Sequence, residues 1–157
     1  MQIVEQLERT KAETLKYFDL PNEDLAKNYG PGKWSVRYLL HHLADAESVL
    51  LYRIRRVISE PKQVIWAFDQ DAWARSLDYS TVPLELARSI YSSSRDGIIY
   101  YARLHYSNSD QIKFVHSETG IRTLKDEFDK VVWHNQQHTG DIEKALLSGE
   151  THQVSAP

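Results

Sequence analysis

The chain has 157 residues, 41% of them hydrophobic and 26% charged, with a formal net charge of -3 and no cysteine. That length suits one domain that buries roughly 68–70% of the surface its unfolded chain exposes. Near-neutral charge gives no basic field for nucleic acid, and without thiols there can be no disulfide, thiolate nucleophile or thiolate metal ligand, so a functional site must use His, carboxylate, hydroxyl or amide groups.

The segment at Met1–Glu5 has no basic stretch leading into an apolar core, and no run approaches the roughly eighteen uncharged apolar residues of a membrane span. A cytoplasmic protein without membrane or nucleic-acid partners is expected. From Ile3 to Phe18 the apolar positions Ile3, Val4, Leu7, Leu15 and Phe18 recur at helical spacing, and Leu20-Pro21 then stops the helix. Tyr29-Gly30-Pro31-Gly32-Lys33 reads as a loop. Ser35 is a good N-cap, with Trp34 and Leu39 at hydrophobic-staple positions. A long helix is predicted from Val36 to about Ile58, its core stripe formed by Leu39, Leu43, Ala46, Leu50, Ile54 and Val57. His42 sits on the edge of this stripe, whereas His41 points away from it.

Between Ser59 and Ser80 the pattern weakens, and a packed lid or interaction surface with one short helix is expected rather than slack chain. Thr81-Val82-Pro83 followed by Glu85 opens a third long helix, which runs to about Leu104. Ile112–His116 and Ile121–Thr123 suggest a short hairpin across Ser117–Gly120. Thr123 and Asp126 resemble a capping box for a fourth helix with Leu124, Phe128, Val131, Ile142 and Leu146 on its apolar face, ending near Ser148-Gly149. The predicted fold class is all-α: a single four-helix-bundle domain over residues 1–150, antiparallel in its main pairs, with a long connector after the second long helix and a loose tail at 151–157.

His134 and His138, four residues apart, lie about 40° apart on one flank of the last helix near Asp141, while Trp133 points the opposite way. Seven histidines give about 0.3 such pairs by chance, so the spacing alone does not separate a ligand pair from two ordinary histidines. The inward ring of His42 on another helix strengthens it: three neutral imidazoles from facing helices can hold one divalent ion and leave a position for water or substrate. Asn135 stands where the HExxH motif needs its glutamate base, which argues against a metalloprotease of that type. Asp45, Glu47 and Asp141 are the candidate bases, or acceptors that orient a ligand ring, although a helical carboxylate is more often a solvated charge. His41, His105 and His152 read as surface groups, and His116 as a loop or strand residue near the site.

These residues carry a resemblance. Lys33–Glu47, with Trp34-Ser35 and the run His41-His42-Leu43, and far downstream Trp133–His138, resemble the DinB/YfiT-like superfamily of metal-dependent enzymes. The resemblance implies His42, His134 and His138 as metal ligands, and it selects His42 because Leu43 follows it. It also implies a divalent transition metal, with Zn or Ni first among those that imidazoles suit. The activity implied is hydrolysis or small-thiol-dependent S-transfer on a small-molecule substrate, a low-molecular-weight thiol being a candidate partner. The other reading is a non-catalytic metal-binding or self-associating bundle whose aromatics Trp66, Trp73 and Trp133 mediate contacts. A homodimer is compatible with both.

Overall fold

The computed structural model describes residues 2–60 and 62–148; the tail expected at 151–157, with His152, lies outside the described residues. Its elements are α1 (Gln2–Tyr17), the one-turn α2 (Asn22–Leu25), α3 (Val36–Ser59), β1 (Val64–Ile65), α4 (Gln70–Ser76), α5 (Leu84–His105), a 3-10 segment (Tyr106–Gln111), β2 (Lys113–His116), β3 (Gly120–Thr123) and α6 (Leu124–Ser148). No helix among the described residues is long and apolar enough to cross a membrane.

Local chemistry sets the helix starts. The Tyr38 amide donates to Ser35 Oγ at 3.3 Å and caps α3. The expected capping box opens α6: Thr123 N donates to Asp126 Oδ2 at 2.7 Å and Asp126 N to Thr123 Oγ1 at 3.3 Å. Such caps satisfy amides that have no partner within the helix, at about 1 kcal/mol each. Asp69 does the same for α4, accepting from the amides of Asp71 and Ala72.

α1, α3, α5 and α6 form the bundle, with α3 packed between α5 and α6 and α1 packed between the same two helices. One apolar cluster joins Ile3 and Leu7, Ile54 and Val57, Ile98 and Ala102, and Leu124 and Phe128; a second joins Phe18, Val36 and Leu43, Ala87 and Tyr91, and Ile142 and Ala145. The start of α1 thus meets the ends of α3 and α5 and the start of α6. It follows that α3–α6 and α1–α5 are antiparallel, whereas the adjacent pairs α3–α5 and α1–α6 run parallel, a departure from the expected arrangement. The cause is the 60–83 connector, which returns the chain to the end where α3 began. Gly97 permits close α3–α5 packing, since a Cβ there would lie 3.0 Å from Leu51 Cδ1.

Between the two apolar clusters lies a buried polar layer. Arg95 donates to both oxygens of Glu47, at 2.9 and 2.5 Å, and also to the Leu7 carbonyl and Thr10 Oγ1. Asn135 Nδ2 donates to Tyr91 Oη at 3.0 Å and to Thr14 Oγ1 at 3.1 Å. Burial without such partners would cost each group about 1–3 kcal/mol.

The expected hairpin is present, with Val115 opposite Ile121, and β1 adds a parallel strand, with Val64 opposite Val115. Sequence periodicity does not reveal a two-residue strand. The 59–80 segment is packed, as expected: Ile65, Ala74 and Tyr79 are buried, and Arg37 ties it to α3 through the carbonyls of Tyr79 and Val82.

Candidate metal centre

His42 leaves the first third of α3, and His134 and His138 leave the middle of α6; because these helices run antiparallel, the three rings meet. One ligand atom from each lies within 4.8 Å of the others. His42 Nε2 and His134 Nε2 are 3.0 Å apart, and the ring centroids lie 4.6–5.0 Å from one another. Trp34 packs on His42 at 5.1 Å and Phe68 stacks on it at 6.4 Å, so the centre has an aromatic wall.

Burial holds all three rings neutral. It pushes His42 down to about 3 and His134 to about 2, helped by the neighbouring imidazoles, and it lowers His138 against the opposing pull of Asp141. Neutral imidazole is the form that binds a metal ion. Among the described residues six buried side-chain nitrogens or oxygens lack a hydrogen-bond partner, and three of them are the Nδ1 atoms of His42, His134 and His138. Two nitrogens bound to one ion at about 2.0–2.1 Å lie about 2.8–3.4 Å apart for octahedral to tetrahedral angles. The observed Nε2 separation and the all-imidazole donor set fit a divalent transition metal.

The centre opens on a cleft of about 450 Å3 lined by Arg53, Phe68, His116, Lys130, His134 and His138, among others. Asp141 lines it too, its Oδ2 3.7 Å from His138 Nδ1, too far for a hydrogen bond, while its Oδ1 accepts from Lys144 at 3.1 Å. Arg53 donates to the Trp66 carbonyl at 2.7 Å and faces Glu127 across 3.9 Å. Burial pushes the Glu127 carboxyl up and the Arg53 guanidinium down, and the pair only partly offsets it.

Of the candidate carboxylates, only Asp141 is brought to the histidines. Glu47 is held at both oxygens by Arg95 in the polar layer, which corrects the expectation that it serves as a base. Asp45 instead accepts a short hydrogen bond from Tyr79 Oη, and burial raises its carboxyl while that bond opposes the rise. His41 corrects a second expectation: it is 3% exposed and stacks on Tyr79 at 5.2 Å, because the connector covers the side of α3 that a two-sided helical pattern assigns to solvent. Trp133 corrects a third. It stands exposed on the cleft rim beside Lys130 and Gln137, not on the opposite face. His105 is half-buried against Tyr101. His116 is buried in β2 and accepts from the Glu118 amide at Nδ1. Arg53 and Lys130 were missed in the sequence; their only signal is helical register, Arg53 following His42 by three turns and Lys130 preceding His134 by one.

The bundle and its inward histidines define a small helical protein with three histidines placed so that they could hold one metal ion. Residues 6–142 match the DinB superfamily, and the chain belongs to it. Similar proteins include two from Oceanobacillus iheyensis, each named a "putative metal-dependent hydrolase". One is 30% identical over 81% of this chain and 73% of its own length, the other 30% over 88% and 79%. A Bacillus cereus protein of the same name is 26% identical over 90% of this chain and 80% of its own. Among solved structures, YfiT from Bacillus subtilis, described as a probable metal-dependent hydrolase with an unusual four-helix bundle topology, superposes with a TM-score of 0.80. It is 24% identical and the match covers 94% of this chain and 85% of YfiT.

Proposed function

We propose that this chain is a divalent-metal-dependent hydrolase of small molecules, with His42, His134 and His138 as the metal ligands and Zn or Ni as the leading metals. The observation that carries this reading is the convergence of three neutral imidazoles, within 4.8 Å, beside a cleft. An ion held there supplies Lewis acidity and lowers the pKa of water or a thiol. The chain's own groups do the rest. Asp141 Oδ2 attracts the proton of His138 Nδ1 and leaves Nε2 its lone pair, as carboxylates near ligand histidines do. Phe68 and Trp34 exclude water from the His42 side. Arg53 and Lys130, both on the cleft wall, receive negative charge that develops on the substrate.

A second reading, small-thiol-dependent S-transfer, uses the same donor set. It is favoured by the engagement of Asp45 and Glu47 elsewhere, which leaves Asp141 as the nearby carboxylate among the candidates, because a thiol of lowered pKa needs less help from a base than water does. The test is incubation of the metal-loaded protein with activated esters and with an alkylating electrophile, each with and without a small thiol. Cleavage without thiol is expected. Adduct formation that requires thiol would replace hydrolysis by S-transfer, and inactivity in every arm would overturn both.

A further inference from the structure

Next to the metal centre, beneath the 60–80 segment, lies a second cavity of about 350 Å3 that the chemistry above does not use. Most of its wall is Val49 and Tyr52 of α3 and Ile65, Trp66, Phe68 and Trp73 of the overlying segment, and Ser48, Arg53 and Arg56 of α3 complete it. At 100° per residue His42, Val49 and Arg53 fall within about 40° of one another, so the cavity continues along the same row of α3 that carries the first ligand. Phe68 is the partition: it stacks on His42 at 6.4 Å and packs edge-to-face on Trp73 at 5.2 Å. Arg53, only 3% exposed, lines both spaces and fixes the outer wall by donating to the Trp66 carbonyl.

An aromatic-walled cavity that adjoins a polar, charged cleft has the two-part character of a small-ligand site, in which apolar walls give affinity and a few polar groups orient. Its volume is near the low end of the roughly 300–1,000 Å3 range of such sites, which suits one ring or a short chain and excludes a polymer. We propose that this cavity is the specificity pocket: it takes the aryl-sized apolar part of the substrate, while the group that reacts lies in the cleft at His134 and His138. The proposal rests on the metal-dependent reading above and names the substrate class for it, a small molecule with one aromatic or short apolar substituent next to its reacting bond. The choice of an apolar substituent follows from Val49, Tyr52, Ile65 and the connector's three aromatic rings, which make up most of the wall, while Arg53 and Arg56 are its charged groups and disfavour a cation there.

The test uses 4-fluorobenzyl alcohol as a neutral aryl probe, followed by 19F NMR with the full chain, metal-free and loaded with Co2+, alongside Val49→Phe to fill the cavity and Val49→Ala to enlarge it. Saturable binding is expected in both metal states, weakened at least about tenfold by Val49→Phe and within about threefold of wild type in Val49→Ala. Co2+ should broaden the bound-probe signal, since Phe68 lines the cavity and stacks on His42. NOEs from the probe to the Trp73 indole and Phe68 ring carry the same test without any substitution. Absence of saturable binding, equal binding by a folded Val49→Phe, or absence of both broadening and NOEs would overturn the pocket. Co2+ uptake without probe binding would do so while leaving the metal-dependent reading intact. Probe binding without Co2+ uptake would overturn that reading and with it the pocket's link to a reaction.

Discussion

Replacing Arg95 by Met should be among the most destabilising single changes in the protein, and the structure gives the size. Arg95 is 0% exposed and Glu47 1%, and the guanidinium satisfies four acceptors: two carboxylate oxygens, the Leu7 carbonyl and Thr10 Oγ1. Removing it leaves an uncompensated buried carboxylate, which costs about 3–5 kcal/mol, out of a total stability on the order of 5–15 kcal/mol. At about 2–4 °C per kcal/mol for a domain of this size, the melting temperature should fall by roughly 6–20 °C. The companion change Glu47→Leu in the same chain removes the stranded charge. The double variant should therefore recover most of the loss, as buried ion pairs replaced by apolar groups often do. Urea unfolding of wild type, both single variants and the double variant gives the cycle. Because Glu47 is no part of the metal centre, the double variant should also keep wild-type metal uptake. Additive losses in the double variant, or loss of metal uptake by a folded double variant, would refute the assignment of this pair to the scaffold.

In the metal-free protein the depressed histidines set the acid limb of stability. His41, His42 and His134 are held at about 4, about 3 and about 2 against an ordinary 6.5, so below pH 6.5 the unfolded chain binds protons that the folded chain does not. Stability is fully present above about pH 6.5 and declines as the pH falls, by up to about 1.4 kcal/mol per pH unit for each histidine. Denaturation between pH 7.5 and 5 should give a shallower slope for His134→Asn; parallel slopes would contradict this. Asp141→Asn should weaken metal binding about 10–100-fold in calorimetric titration, by loosening the orientation of His138, and unchanged affinity would remove Asp141 from the centre. Tyr79→Phe strips the hydroxyl from the half-buried Asp45 carboxylate and should cost about 1–3 kcal/mol with metal uptake intact. Loss of metal there would join the His41–Tyr79–Asp45 cluster to the site.

Much of this molecule is legible in its sequence because amphipathic period and capping chemistry are local properties. Ser35 and the Thr123–Asp126 pair mark the starts of α3 and α6, and Leu39 through Val57 trace a stripe that is buried throughout. His42, His134 and His138 could be singled out for the same reason, since each sits beside such a stripe. What a helical wheel cannot show is which other face a distant segment will cover. The helical pattern places His41 toward solvent, yet it is buried against Tyr79, a residue nearly forty positions downstream. Glu47 reads as one more helical carboxylate until α5 brings Arg95 against it. Helix direction was hidden as well: whether α5 runs with or against α3 depends on where the connector returns the chain, and its two-residue strand and short helix carry too little periodicity to say.

Metal titration of the metal-free protein, compared with single His42→Ala, His134→Ala and His138→Ala variants of verified fold, tests the central claim most directly. The expected result is one Zn2+ or Ni2+ ion per chain for wild type, with a rise in thermal stability on binding, and loss of both the ion and the rise in each variant. Full uptake and equal stabilisation in any of the three variants, or no stoichiometric uptake by wild type, would contradict the account.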